Sequence, residues 1–103
     1  MTIKQLLQEA NAVQVGIAAR DWQQVIAMAA RPLVEGGYIQ ASYPQAVIEN
    51  TLTHGAYYVF EEGIAIPHAR PETGVIRDCF SMVLLSEPVS FDGSDKADIV
   101  IMF

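Results

Sequence analysis

This 103-residue sequence is short of cations, cysteine and long apolar runs. Lys and Arg together number six against twelve Asp and Glu, giving a formal net charge of −6. Binding a phosphate backbone needs a basic face, so nucleic acid is not the expected partner. A lone cysteine, Cys79, excludes a disulfide framework and argues against a cysteine-based zinc site. No apolar run approaches the length of a membrane span. Met1-Thr2-Ile3-Lys4-Gln5 leads into a mixed segment without the apolar core of a signal peptide, so the expected location is the cytoplasm. There is no Gly-rich loop of the P-loop or dinucleotide-binding type, and no internal repeat or low-complexity tract.

What is present is a chain of 51% hydrophobic and 17% charged residues, enough for one domain with a real core. Thr2 to Ala10 has the pattern of a short helix, with Thr2 and Gln5 at capping-box spacing. Ala12 to Ala19 reads as a strand. Asp21 opens a helix whose apolar stripe is Trp22, Val25, Ile26, Ala29, Ala30, Leu33 and Val34. Pro32 lies inside that stripe, so the helix is expected to kink there or end early, with Gly36-Gly37 stopping it. A second helix starts at Ser42, with Gln45 completing another capping box, and ends near His54-Gly55. Its stripe is Tyr43, Val47, Ile48, Thr51 and Leu52. Tyr57–Phe60 and Ile64–Pro67 are short strand signals. Cys79–Leu85 reads as a strand buried on both faces, Pro88–Phe91 as a short extended piece before an Asp92-Gly93 turn, and Ala97–Phe103 as a last apolar strand.

Helices interspersed with apolar strands imply a sheet between helical layers. Two strands need cover on both faces and only two substantial helices are available. The chain is therefore expected to be the front part of a longer domain, or to cover its sheet with another chain, and the apolar strand end could drive association.

The densest chemistry lies in Gly63-Ile64-Ala65-Ile66-Pro67-His68-Ala69-Arg70-Pro71-Glu72. Two prolines stiffen the backbone around His68. One reading makes His68 a hydrogen-bonded structural residue at a strand end. The other makes its ring a nucleophile towards phosphorus, a role imidazole suits because it can be neutral and nucleophilic near pH 7. In extended backbone Arg70 shares the face of His68, where it could stabilise phosphoryl charge or be a solvated surface residue. Glu72 could orient the imidazole or balance Arg70, or be a surface carboxylate. His54 fits a helix C-terminus, where a partly cationic ring is favoured. No HExxH or other ligand spacing supports a metal site from His54 and His68. Cys79 reads as an inert core thiol. Asp92, Asp95 and Asp98 read as a solvated loop.

The run Gly63-Ile64-Ala65-Ile66-Pro67-His68-Ala69-Arg70-Pro71-Glu72 resembles the active-site motif of the enzyme IIA components of the bacterial phosphoenolpyruvate-dependent sugar phosphotransferase system (PTS), of the mannitol/fructose type and its ascorbate-like branch. Asp21-Trp22-Gln23, Tyr38-Ile39 with Tyr43 and Ala46-Val47-Ile48, and Gly55-Ala56-Tyr57-Tyr58-Val59 extend the resemblance over essentially the whole chain. It implies a three-layer α/β/α sandwich with one mixed β-sheet, lacking its C-terminal helices in this chain, with residues 1–103 the N-terminal part of an EIIA type-2 domain. It implies a histidine-phosphorylated phosphotransferase component without metal or organic cofactor. His68 would take a phosphoryl group on Nε2 from the histidine-containing phosphocarrier protein and pass it to a cysteine of a IIB component. The membrane IIC component would be served indirectly, and the site would be a shallow depression ringed by apolar residues. Substrate preference for ascorbate-like or pentitol-like sugars follows from the branch alone. Two departures accompany the resemblance. Nothing here matches the second active-site histidine that the family carries downstream, and Glu49-Asn50-Thr51-Leu52 lacks the arginine that mannitol-type members have in the helix before the motif, a place Arg70 could fill. The other reading within the resemblance is a regulatory or inactive IIA-like binding module.

Overall fold

The computed structural model describes residues 13–60, 63–77, 79–93 and 95–102. The helix expected over Thr2–Ala10 lies outside them. Among the described residues four strands form one mixed sheet: β1 (Val13–Ile17), β2 (Ile64–Ala65), β3 (Ser81–Ser90) and β4 (Lys96–Met102), in the order β1-β3-β4-β2. β1 runs parallel to β3, β3 antiparallel to β4, and β2 parallel to β4. Helix α1 spans Trp22–Glu35 and α2 spans Ser42–His54. A mixed sheet with helices packed on it is the α/β class expected.

Helix α1 starts as the local chemistry dictates. Asp21 is the N-cap, in extended backbone, and its carboxylate accepts from the Gln24 backbone N–H at 2.9 Å. Trp22, Val25, Ile26, Ala29, Ala30 and Leu33 are buried, as the stripe requires, and Val34 is half-buried. The expected early end at Pro32 does not occur. Proline removes the N–H that would bond the carbonyl of Met28 four residues back. The side chain of Gln14, reaching from β1, donates to that carbonyl at 2.7 Å. A strand residue thus supplies the donor that Pro32 lacks, and the helix runs on to Glu35 before Gly36 and Gly37, the latter at φ +77°.

Helix α2 departs from expectation at its start. Its N-cap is Ala41, without a side-chain bond, and the Ser42 hydroxyl donates instead to the Thr73 carbonyl at 3.2 Å. The capping box is absent because a tertiary acceptor wins the hydroxyl. Tyr43, Val47 and Thr51 are buried, whereas Leu52 is 60% exposed.

β3 is longer than Cys79–Leu85 suggested. Its register with β4 shifts between Leu84 and Val89, and Pro88 sits in that irregular stretch, where no ladder N–H is needed. Ser81, Val83 and Leu85 are buried beneath α1, where the Ser81 hydroxyl donates to the Ala29 carbonyl at 2.7 Å. On the other face Met82 and Leu84 are half-buried, not fully buried as expected, and the neighbouring Val15 is 67% exposed. Tyr57–Phe60 is not a strand. It makes one antiparallel bridge, Val59 to Ala65, because its partner β2 is two residues long. Bonds from Phe60 N to Ile64 O and from Ile66 N to Tyr58 O, 2.8 and 3.1 Å, complete the pairing.

Candidate functional site

The segment after β2 alternates. Ala65 and Pro67 are buried and Ala69 is half-buried, so Ile66, His68 and Arg70 take the outward positions, with His68 and Arg70 exposed. Pro67 fixes the backbone immediately before the histidine. Behind it, the hydroxyl of buried Tyr43 from α2 accepts the backbone N–H of Ala69 at 3.1 Å and lies 3.4 Å from the Ala69 carbonyl. The histidine therefore projects from a backbone anchored on both sides.

Its ring is anchored as well. Nδ1 lies 2.9 Å from the carbonyl oxygen of Ile66, and Nε2 lies 3.2 Å from the hydroxyl of Tyr57. A carbonyl can only accept, so Nδ1 carries the proton and Nε2 of the neutral ring presents its lone pair. Tyr57 meets the imidazole edge to face, with centroids 5.4 Å apart, and Tyr58 does so at 6.2 Å. Tyr58 in turn packs on buried Phe91 at 5.9 Å and shares a 2.7 Å hydrogen bond with the Thr51 hydroxyl. Burial raises the phenol pKa of Tyr58, the hydrogen bond it shares with Thr51 partly opposing it. Burial likewise raises Tyr43, against the lowering effect of its Ala69 bond.

Asn50, on α2, closes the arrangement. Its Nδ2 donates to the Tyr57 hydroxyl at 3.1 Å and to the His68 carbonyl at 3.4 Å. Sequence reasoning missed Tyr43, Asn50 and Tyr57 as site residues. A faint signal existed for Asn50: it lies three residues after Val47 and four before His54, on the edge of the α2 stripe.

Arg70 stands two residues from His68 on the same outward side, at the start of the 3₁₀ turn Pro71–Thr73. Glu72 is exposed within that turn, and the orienting role considered for it falls to the Ile66 carbonyl. His54 is exposed in the last turn of α2, where the neighbouring Gly55 N–H bonds to the Thr51 carbonyl. Cys79 is buried. Among the described residues no group of three His, Cys, Asp or Glu side chains is placed to hold a metal ion, and no helix is long and apolar enough to cross a membrane.

Comparison with known proteins places this geometry. Residues 6–103 match the family described as phosphoenolpyruvate-dependent sugar phosphotransferase system, EIIA 2. The chain is 46% identical over 88 residues to SgcA of Escherichia coli K12, provisionally named a phosphotransferase IIA component, spanning 85% of this chain and 61% of SgcA. It is 33% identical over 103 residues to the ascorbate-specific PTS EIIA component of the same organism, covering 98% of this chain and 67% of that protein. The fold superposes on the crystal structure of PtxA from Streptococcus mutans, provisionally named a PTS IIA, with a TM-score of 0.95, 38% identity, and coverage of 99% of this chain and 65% of PtxA. It also superposes on the complex of enzyme IIA-mannitol with phosphorylated enzyme IIB-mannitol from Escherichia coli, with a TM-score of 0.79, 27% identity, and coverage of 90% of this chain and 66% of that one. The chain thus spans about three fifths of the length of SgcA. The chain belongs to the EIIA type-2 family of the phosphoenolpyruvate-dependent sugar phosphotransferase system.

Proposed function

We propose that this chain carries a phosphoryl group on Nε2 of His68 between two proteins of a sugar phosphotransferase system. The observation that supports this most directly is the hydrogen bond from Nδ1 to the Ile66 carbonyl, which holds the neutral ring in the tautomer whose lone pair is on Nε2. The exposed Nε2 attacks phosphorus of the donor phosphohistidine. The donor's P–N bond breaks and its electron pair returns to the donor nitrogen, while the Nδ1 proton stays in place. In the second step a cysteine thiolate of the acceptor attacks phosphorus and the bond to Nε2 breaks. Such a transfer is governed by positioning and charge stabilisation, which suits a ring fixed at both nitrogens.

The donor is the histidine-containing phosphocarrier protein and the acceptor a IIB component. Family membership and the solved IIA–IIB complex of a relative support the second partner. Arg70, exposed on the side of His68, adds positive charge where the phosphoryl group would sit. Incubation with phosphoenolpyruvate, enzyme I and the phosphocarrier protein should give an acid-labile phosphoryl adduct by intact mass. His68→Ala should abolish it. A wild-type chain that stays unmodified beside a labelled full-length relative would overturn the proposal.

A further inference from the structure

The directions of four hydrogen bonds at the site are fixed by their chemistry. The Asn50 amide nitrogen donates to the carbonyl of His68, which can only accept, so the amide NH₂ faces the site. The same NH₂ therefore donates to the oxygen of Tyr57. At the other end, Nδ1 of His68 donates to Ile66, so Nε2 of the neutral ring can only accept. The single proton of Tyr57 must then point at Nε2. The relay runs from Asn50 through Tyr57 to the lone pair of His68.

Resting on the reading of His68 as phosphoryl acceptor, we propose that Tyr57 is a catalytic residue of the transfer and Asn50 its positioning residue: the Tyr57 hydroxyl holds the Nε2 lone pair in the resting protein and becomes a donor to the phosphoryl oxygens once that lone pair is used. When Nε2 bonds to phosphorus, the hydroxyl loses its acceptor. The only change at that spot is the arrival of anionic oxygens one bond beyond the phosphorus. Tyr57 is 55% exposed, so its ring has room to turn aside for the phosphorus while its hydroxyl stays near. Asn50 still donates to the Tyr57 oxygen and keeps the phenol proton directed outward to the phosphoryl group. A hydrogen bond to an anionic acceptor is roughly twice as strong as one between neutral groups. Tyr57 therefore stabilises the phosphorylated state more than the resting one, and its contribution appears in the equilibrium of transfer.

The test is the equilibrium ratio of phosphorylated to unphosphorylated chain, measured by intact mass against a buffered pool of phosphorylated phosphocarrier protein. Wild type is compared with Tyr57→Phe, which keeps the ring against His68 and removes one oxygen. Tyr57→Phe should shift the ratio about 5- to 10-fold towards the unphosphorylated chain. Asn50→Asp should shift it in the same direction, because a carboxylate accepts the Tyr57 proton and repels the phosphoryl group. A structural role alone would lower stability without moving this ratio, so urea midpoints are recorded on the same samples. If wild type is phosphorylated on His68 and Tyr57→Phe reaches the same ratio within twofold, the role of Tyr57 is refuted and the carrier function stands. If wild type takes no phosphoryl group on His68, both fall.

Discussion

The Nδ1 of His68 lies 2.9 Å from the carbonyl oxygen of Ile66, two residues earlier in the same chain, with Pro67 between them. The tautomer of the candidate nucleophile is thus set by its own motif. The proline holds the backbone so that the carbonyl and the ring meet, and no distant carboxylate is needed to orient the imidazole.

The Gln14 side chain completes α1 at Pro32, so the two residues should be energetically coupled. Gln14→Ala leaves the Met28 carbonyl without its 2.7 Å donor and should cost about 1–2 kcal/mol in urea unfolding. Adding Pro32→Ala restores a helical N–H for that carbonyl. The double variant should therefore be less destabilised than the sum of the singles.

Thr51 and Tyr58 share a buried 2.7 Å hydrogen bond directly behind the site. Thr51→Val keeps the shape and strands the Tyr58 hydroxyl. The expected loss is about 1–3 kcal/mol. Tyr58→Phe should cost less, because the Thr51 hydroxyl retains the Val47 carbonyl at 2.9 Å. Chemical denaturation of both variants checks the order.

Gly74→Ala should be destabilising by about 1–3 kcal/mol. A Cβ there would lie 2.9 Å from the Cβ of Tyr43 and 3.1 Å from its backbone nitrogen, at a backbone φ of +154°. Tyr43 anchors Ala69 beside the histidine. The same variant should accordingly slow phosphoryl transfer as well as lower the urea midpoint.

Alkaline pH should weaken the fold through Tyr43 and Tyr58. Burial raises both phenols above their ordinary 10.0, so each binds its proton more tightly in the folded than in the unfolded chain. Their contribution is fully present below about pH 10 and is lost as pH rises through the folded values. Stability followed by denaturant titration should fall above that pH, and the fall should be smaller in Tyr43→Phe and in Tyr58→Phe.

Much of this was legible where the determinants are local. Asp21 with Gln24 caps α1, its apolar stripe is buried, and Asp92-Gly93 makes its turn with both residues at positive φ. His68 stood out as the candidate nucleophile because its motif is contiguous. What lay beyond reach depends on residues far apart in sequence. Gln14 rescues a proline eighteen positions on, Thr73 draws the Ser42 hydroxyl away from its capping box, and Tyr43 holds Ala69 across 26 residues. Asn50 and Tyr57 belong to the site only because α2 and the Val59–Ala65 pairing bring them to it. A polar residue on a helix edge is only a faint sign in the sequence, and a tyrosine after a helix stop is none.

In the proposed transfer Nε2 of His68 takes the phosphoryl group while Nδ1 keeps its proton directed at the Ile66 carbonyl. Long-range proton–nitrogen NMR correlations of the His68 ring, recorded before and after phosphorylation by the phosphocarrier protein, read both nitrogens at once. In the resting chain the neutral form of the ring should carry its proton on Nδ1, and a phosphorus–nitrogen coupling should appear at Nε2 after transfer. Phosphorus on Nδ1, or a phosphorylated chain whose His68 ring is unchanged, would refute the assignment of Nε2.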